Sequence, residues 1–199
     1  MKTSRVAIVS IILLATLVLG YKVVTNVNLN PEIEVGTVVD SLNNVKVYYN
    51  GGVNQVVERN KTEDGYNVGL KYQCVEFRKR YYLEHYNHKM PDSYGHAKHF
   101  FDSSVKHGEF NENRGLWQYY NHNDVAPEVG DIVVYKKSIT NPYGHVSIVS
   151  SVNLQDRQIE IIQQNPGPFS PSREIYSLTN SAGGWDVEHS RVLGWLRLK

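Results

Sequence analysis

A change of hydrophobic period partway along the chain limits the folds open to it more than any other feature. Cys74, Val75, Phe77, Tyr81, Tyr82 and Tyr86 recur at helical spacings and predict an amphipathic helix over about Cys74 to Tyr86. The pattern then becomes that of strands: an apolar run from Asp131 to Tyr135, β-branched stretches at Gly144 to Val152 and Gln158 to Gln163, and a last segment from Val192 to Leu198. Helices first and strands afterwards give an α+β fold rather than an alternating parallel sheet. Upstream, Val35 to Asp40 and Val45 to Tyr49 flank the turn formers Ser41 to Asn44 and read as a hairpin. Tyr94 to Phe101 is expected to form a second, shorter helix.

Such a fold has to be held by its own core, because the 199 residues include a single cysteine and so no internal disulfide. With 41% hydrophobic residues and 21 Lys+Arg against 20 Asp+Glu, the chain is not of the disordered class either. Three of its cations, Lys2, Arg5 and Lys22, lie in or beside one N-terminal apolar run, and without them the net charge of +1 becomes −2. A nucleic-acid module should be clearly basic, so no such partner is expected. The run itself, Val6 to Gly20, is uncharged and follows Lys2 and Arg5, the pattern of an export signal. Extended to Val24 it approaches the ~20 residues that span a bilayer. We therefore divide the chain into a signal peptide or signal anchor (1–24), an Asn-rich linker with Pro31 (25–34) and one domain (35–199). The expected location is the bacterial cell envelope, with the domain exported and either membrane-anchored or released.

A free thiol outside the reducing cytoplasm is an oxidation liability, so Cys74 asks for a reason. It falls at the start of the predicted helix, where unpaired N–H groups and the helix dipole favour thiolate. On position alone, a nucleophile and an inert core thiol stand even. A nucleophile also needs a base and a group to orient that base. Of the 8 histidines, His145 stands at the mouth of a predicted strand. Pairing that strand antiparallel with the next, with Val152 opposite Asp156, sets His145 opposite Gln163, and Asn165 shares the parity of Gln163.

These residues carry a resemblance. Gly69 to Phe77 (GLKYQCVEF), Val129 to Tyr135, Gly144 to Val149, Gln163-Gln164-Asn165 and Leu193 to Arg197 follow one another in the order seen in the CHAP family, the cysteine, histidine-dependent amidohydrolases/peptidases. The Tyr-Gln-Cys-Val-Glu-Phe block is especially similar to the amidase domain of glutathionylspermidine synthetase/amidase. The resemblance implies a papain-like fold, with the cysteine opening a helix packed on an antiparallel sheet, and hydrolysis of amide bonds, most often in peptidoglycan. It implies Cys74 as nucleophile, His145 as base and Gln163 or Asn165 as orienter, where many relatives have Glu-x-Asn. The backbone N–H of Cys74, with a group on Gln73 or Tyr72, would steady the oxyanion. A glutathionylspermidine-type amidase and a catalytically silent wall-binding domain are the other readings.

Two H-x-x-H pairs, His85/His88 and His96/His99, invite a zinc reading, but histidine is favoured at a helix C-terminus and no spare thiolate completes a site. Neither metal nor cofactor is expected. Tyr94 and Tyr143, in turn-like segments, are candidates to line the substrate groove. A monomer is expected, with a peptidoglycan or peptide-amide substrate and the membrane, through the apolar run, as partners.

Overall fold

The computed structural model describes residues 2–181 and 183–199. Helix α1 (Lys2–Asn26) is apolar on every side, and its side chains from Arg5 to Val24 are all exposed. With a mean hydropathy of 2.3, it is long and apolar enough to cross a membrane. The end of α1 and the segment after it, where a linker is expected over 25–34, are tied to the domain. Thr25 is buried and accepts from the N–H of Asn54, and the hydroxyl of Tyr49 donates to Asn28 Oδ1 over 2.8 Å. Its asparagines serve as local hydrogen-bonding groups that tie the chain to the domain, a role composition does not distinguish from solvation.

Strands β1 (Val38–Leu42) and β2 (Val45–Tyr48) form the expected hairpin, but the turn is Asn43-Asn44 alone, at φ 48° and 67°. A two-residue turn with both residues left-handed matches the twist of its strands, so Ser41 and Leu42 belong to β1. A second hairpin, β3 (Arg59–Lys61) with β4 (Asn67–Leu70), precedes helix α2 (Cys74–Tyr86). Where a second helix was expected over Tyr94 to Phe101, Gly95 turns at φ 103° and only a 3₁₀ turn forms, Ala97–Phe100.

The remaining strands are β5 (Glu109–Asn111), β6 (Leu116–Tyr120), β7 (Ile132–Tyr135), β8 (His145–Asn153), β9 (Gln158–Ile162), β10 (Arg173–Ser181), β11 (Gly184–Val187) and β12 (Val192–Arg197). They build one antiparallel sheet of order β11-β10-β9-β8-β7-β12-β6-β5. Alternation sends Ile132, Val134, Val146, Ile148 and Leu196 to one face, against Phe77, Tyr81 and Tyr82 of α2. Val133, Tyr135, Val149, Ile161 and Trp195 go to the other face. That face encloses a second core because the sheet curls: Asn123, just past β6, bridges Trp185 of β11.

Helix α2 is covered on more than one side. The residues that periodicity assigns to its polar face, among them Glu76, Lys79 and Arg80, are buried as well, since β2 and β4 pack there. The β8–β9 register also differs from expectation. Val152 meets Ile159 rather than Asp156, and a bulge falls between Val149 and Ser151. Nearer His145, Ile148 pairs with Ile162, an even displacement that keeps Gln163 on the face of His145 but makes it a diagonal neighbour.

Candidate active site

Tyr72 takes a left-handed conformation, φ 66°, and Gln73 is extended before the chain enters α2 at Cys74. The Gln73 side chain does not cap the helix. Its amide donates to Gln55 O (2.7 Å) and Val53 O (3.2 Å), leaving the first helical N–H groups free. Those of Cys74 and Val75 face the sulfur, as does the N–H of Val146. Burial pushes the thiol pKa up, and the Arg78 guanidinium, one helical turn away, pulls it back. Arg78 is itself fully buried, 3.3 Å above the Phe100 ring, with Nε and Nη1 unpartnered among the described residues.

His145 opens β8. The residue before it, Gly144, has φ 78°, and a Cβ there would lie 2.9 Å from Tyr135 O and 3.0 Å from Lys98 N, so only glycine lets the 3₁₀ turn close on the strand. The imidazole is buried, with Nε2 2.8 Å from Gln163 Oε1. The other end of that amide points at two acceptors, Pro171 O at 3.3 Å and Glu174 Oε1 at 3.0 Å, which only an NH2 can satisfy. Gln163 must therefore present its oxygen to the ring. Nε2 carries the proton, and the lone pair is on Nδ1. Burial lowers the pKa of His145 to about 4, against the opposing pull of Gln163 and Glu174. Both groups are thus neutral at rest, and His145, opposite Tyr135, shares the sheet face turned away from α2 and is not among the residues lining the cleft at Cys74. Among the described residues no hydrogen bond joins the sulfur to the ring; the sulfur meets the N–H of the residue that follows His145.

A cleft of about 340 Å³ opens at Cys74. Gln73, Tyr94, Tyr143 and Asn165, all expected at the site, line it. Asn165 does not reach the imidazole: its Nδ2 donates to Gln73 Oε1 (2.8 Å) and Val53 O (3.2 Å), making it part of the cleft wall. Tyr72 does not line the cleft. Its left-handed backbone turns the ring onto Tyr48, 5.3 Å between centroids, in a separate groove. Arg59, Lys79 and His96 also line the cleft and were missed as site residues. His96 stacks on Tyr143, 4.8 Å between centroids, while His85 packs against Tyr81 and Tyr86, and His88 Nε2 meets Arg114 O. No periodic signal marks Arg59, which opens the three-residue strand β3, and Lys79 falls where a helical wheel expects solvent. Lys79 Nζ donates to Ser93 O and to Asn67 O, and burial lowers its pKa to about 7.

Residues 64–165 match the model of the CHAP domain family. Trypanothione synthetase of Crithidia fasciculata is 33% identical over 146 residues, which is 67% of this chain and 22% of that protein. Glutathionylspermidine synthase of the same organism is 29% identical over 144 residues, 66% of this chain and 19% of that protein. The chain thus spans about a fifth of the length of these relatives. Among solved structures, the crystal structure of Ly7917, alone and with the hydrolyzing product of MDP, aligns at 29% identity with TM-scores of 0.27 and 0.28, covering 39% of this chain and 31% of that one. That superposition is too partial to bear on the fold.

Proposed function

This chain belongs to the CHAP domain family, and on that premise we propose that it is a papain-like cysteine amidohydrolase or endopeptidase that cleaves amide bonds in peptidoglycan peptides. One observation carries the reading. The only cysteine opens a helix at the floor of a cleft, and the strand beside it begins with a histidine whose hydrogen bonding leaves Nδ1 as its basic nitrogen. In the proposed reaction the Cys74 thiol passes its proton to His145 Nδ1 and attacks the carbonyl carbon. The N–H groups at the start of α2 steady the oxyanion. The imidazolium returns the proton to the leaving amine as the C–N bond breaks, and water activated by Nδ1 then hydrolyses the thioester. Gln163 holds the ring throughout; the Gln73–Asn165 pair shapes the wall.

Arg59 is a cation at the cleft, Lys79 adds part of a charge near neutral pH because burial lowers its pKa to about 7, and no carboxylate lines the cleft among the described residues. That suits a substrate with a free carboxylate, which cell-wall peptides carry. Helix α1, apolar all round and exposed from Arg5 to Val24, supports an export signal or membrane anchor that holds the domain at the cell envelope. A glutathionylspermidine-type amidase is the second reading, favoured by the two Crithidia relatives. Digestion of purified peptidoglycan and, separately, of glutathionylspermidine by the full-length protein, with products identified by mass spectrometry, tests both. New muropeptides that the Cys74→Ala protein does not release support the first; free spermidine alone supports the second. Neither product from the wild type leaves a silent binding domain.

A further inference from the structure

Glu174 lies on β10, two strands from His145, and is spent in an unusual way for a carboxylate. Among the described residues it forms no ion pair, although its neighbour Arg173 bridges Asp40 and Glu160. Instead Oε1 accepts from Gln163 Nε2 (3.0 Å) and Oε2 from the hydroxyl of Tyr176 (2.9 Å). Tyr176 in turn meets the hydroxyl of Tyr135, which bonds Ser147 and sets its ring 5.5 Å from His145. The network thus runs from the imidazole through an amide to a carboxylate, and back beneath the imidazole through two tyrosines.

We propose that Glu174 is a positioning residue for the reaction described above: it holds the Gln163 amide in the one flip that presents oxygen to His145, and so fixes the proton on Nε2 and the lone pair on Nδ1. A glutamine at that place needs such a holder. Its two ends are nearly equal in size, and with the oxygen turned away the NH2 would accept no proton from Nε2–H, while the oxygen would face Pro171 O and the Glu174 carboxylate. Pro171 O alone, at 3.3 Å, is a weak anchor for the correct flip. The carboxylate makes the reversed flip repulsive as well as unbonded.

The kinetic arm of the test rests on the amidase reading; the spectroscopic arm does not. Nitrogen-15 NMR of histidine-labelled protein, with His145→Ala identifying the signals, should show a single Nε2–H tautomer in the wild type. Glu174→Ala should show a mixture that includes Nδ1–H, and Glu174→Gln, which still offers an oxygen to Gln163, should restore the single form. On an amide substrate Glu174→Ala should lower kcat about tenfold, the scale of one lost charged hydrogen bond, with KM unchanged. Gln163→Glu alone should also lower kcat, since it sets two carboxyl groups at the present 3.0 Å contact. Combined with Glu174→Ala it should recover, because a carboxylate accepts from Nε2–H through either oxygen. An unchanged tautomer in Glu174→Ala overturns the proposal, as does a loss of kcat that Gln163→Glu does not rescue. If Glu174→Ala fails to fold, Gln163→Glu decides: undiminished kcat with Glu174 in place means the two side chains are not coupled. A wild type with no turnover removes the amidase reading, and the tautomer still decides the role of Glu174.

Discussion

Arg78, one turn along α2 from Cys74, is buried with two nitrogens unpartnered among the described residues, whereas Gln163, beside His145, has both its oxygen and its nitrogen engaged. The surroundings follow suit. On the cysteine side three cations, Arg78, Lys79 and Arg114, crowd one region, and burial lowers the pKa of Arg78 to about 9 and of Lys79 to about 7. On the histidine side, amide, carboxylate and hydroxyls answer one another. The thiol is tuned by a field and the imidazole by fixed geometry, so substitutions in the two halves should fail differently.

The largest effects come from the two groups themselves. Cys74→Ala should abolish turnover, and His145→Ala should lower it by ~10²- to 10⁴-fold, as initial rates on a peptide amide would show. Next is a stability effect peculiar to the histidine side. The folded pKa of His145, about 4, lies below the ~6.5 of a free imidazole, so between these values the unfolded chain binds more protons and stability falls as pH falls. The contribution is intact above pH ~6.5 and fully lost near 4, on the order of 3 kcal/mol. Urea denaturation at pH 7 and pH 4.5 should show it, and His145→Gln should remove that part of the slope. Gln163→Ala, which leaves the ring without its orienter, should cost about tenfold in kcat and some stability, because Glu174 loses a donor. Smallest is Arg78→Met. Loss of the field should slow alkylation of the sole cysteine a few-fold at fixed pH. Yet the protein should be no less stable, and up to ~1 kcal/mol more so, since a buried cation whose Nε and Nη1 have no partner among the described residues, and whose Nη2 has only Val75 O, is gone. A large loss of stability in Arg78→Met would erase the contrast between the halves.

The elements that carry Cys74 and His145 were legible because each has a clean period: aromatics at helical spacing after Cys74, and β-branched residues after Gly144. Strand β10, which carries Glu174, was not. Ile175 is exposed while Tyr176 and Leu178 are buried, so apolar residues on both faces blur its alternation. The buried charges of α2 escaped for another reason: helical periodicity identifies a polar face, and nothing local announces that β2 and β4 will cover it. The β8–β9 register depended on a bulge where Ser150 bonds to Glu160, a tertiary detail that alternation does not encode. Asn165 shared the parity of Gln163, and only the placement of Gln73 and Val53 decided that it faces the cleft wall instead.

The central claim is that Cys74 carries the acyl group between bond cleavage and release. Because the chain has one cysteine, intact-mass spectrometry after rapid acid quench during turnover tests it directly. The expected result is a mass increase equal to the acyl part of the substrate, located at Cys74, removed by neutral hydroxylamine as a thioester should be, and missing from Cys74→Ala. Hydrolysis that proceeds in Cys74→Ala at the wild-type rate, with no such adduct on either protein, would contradict it.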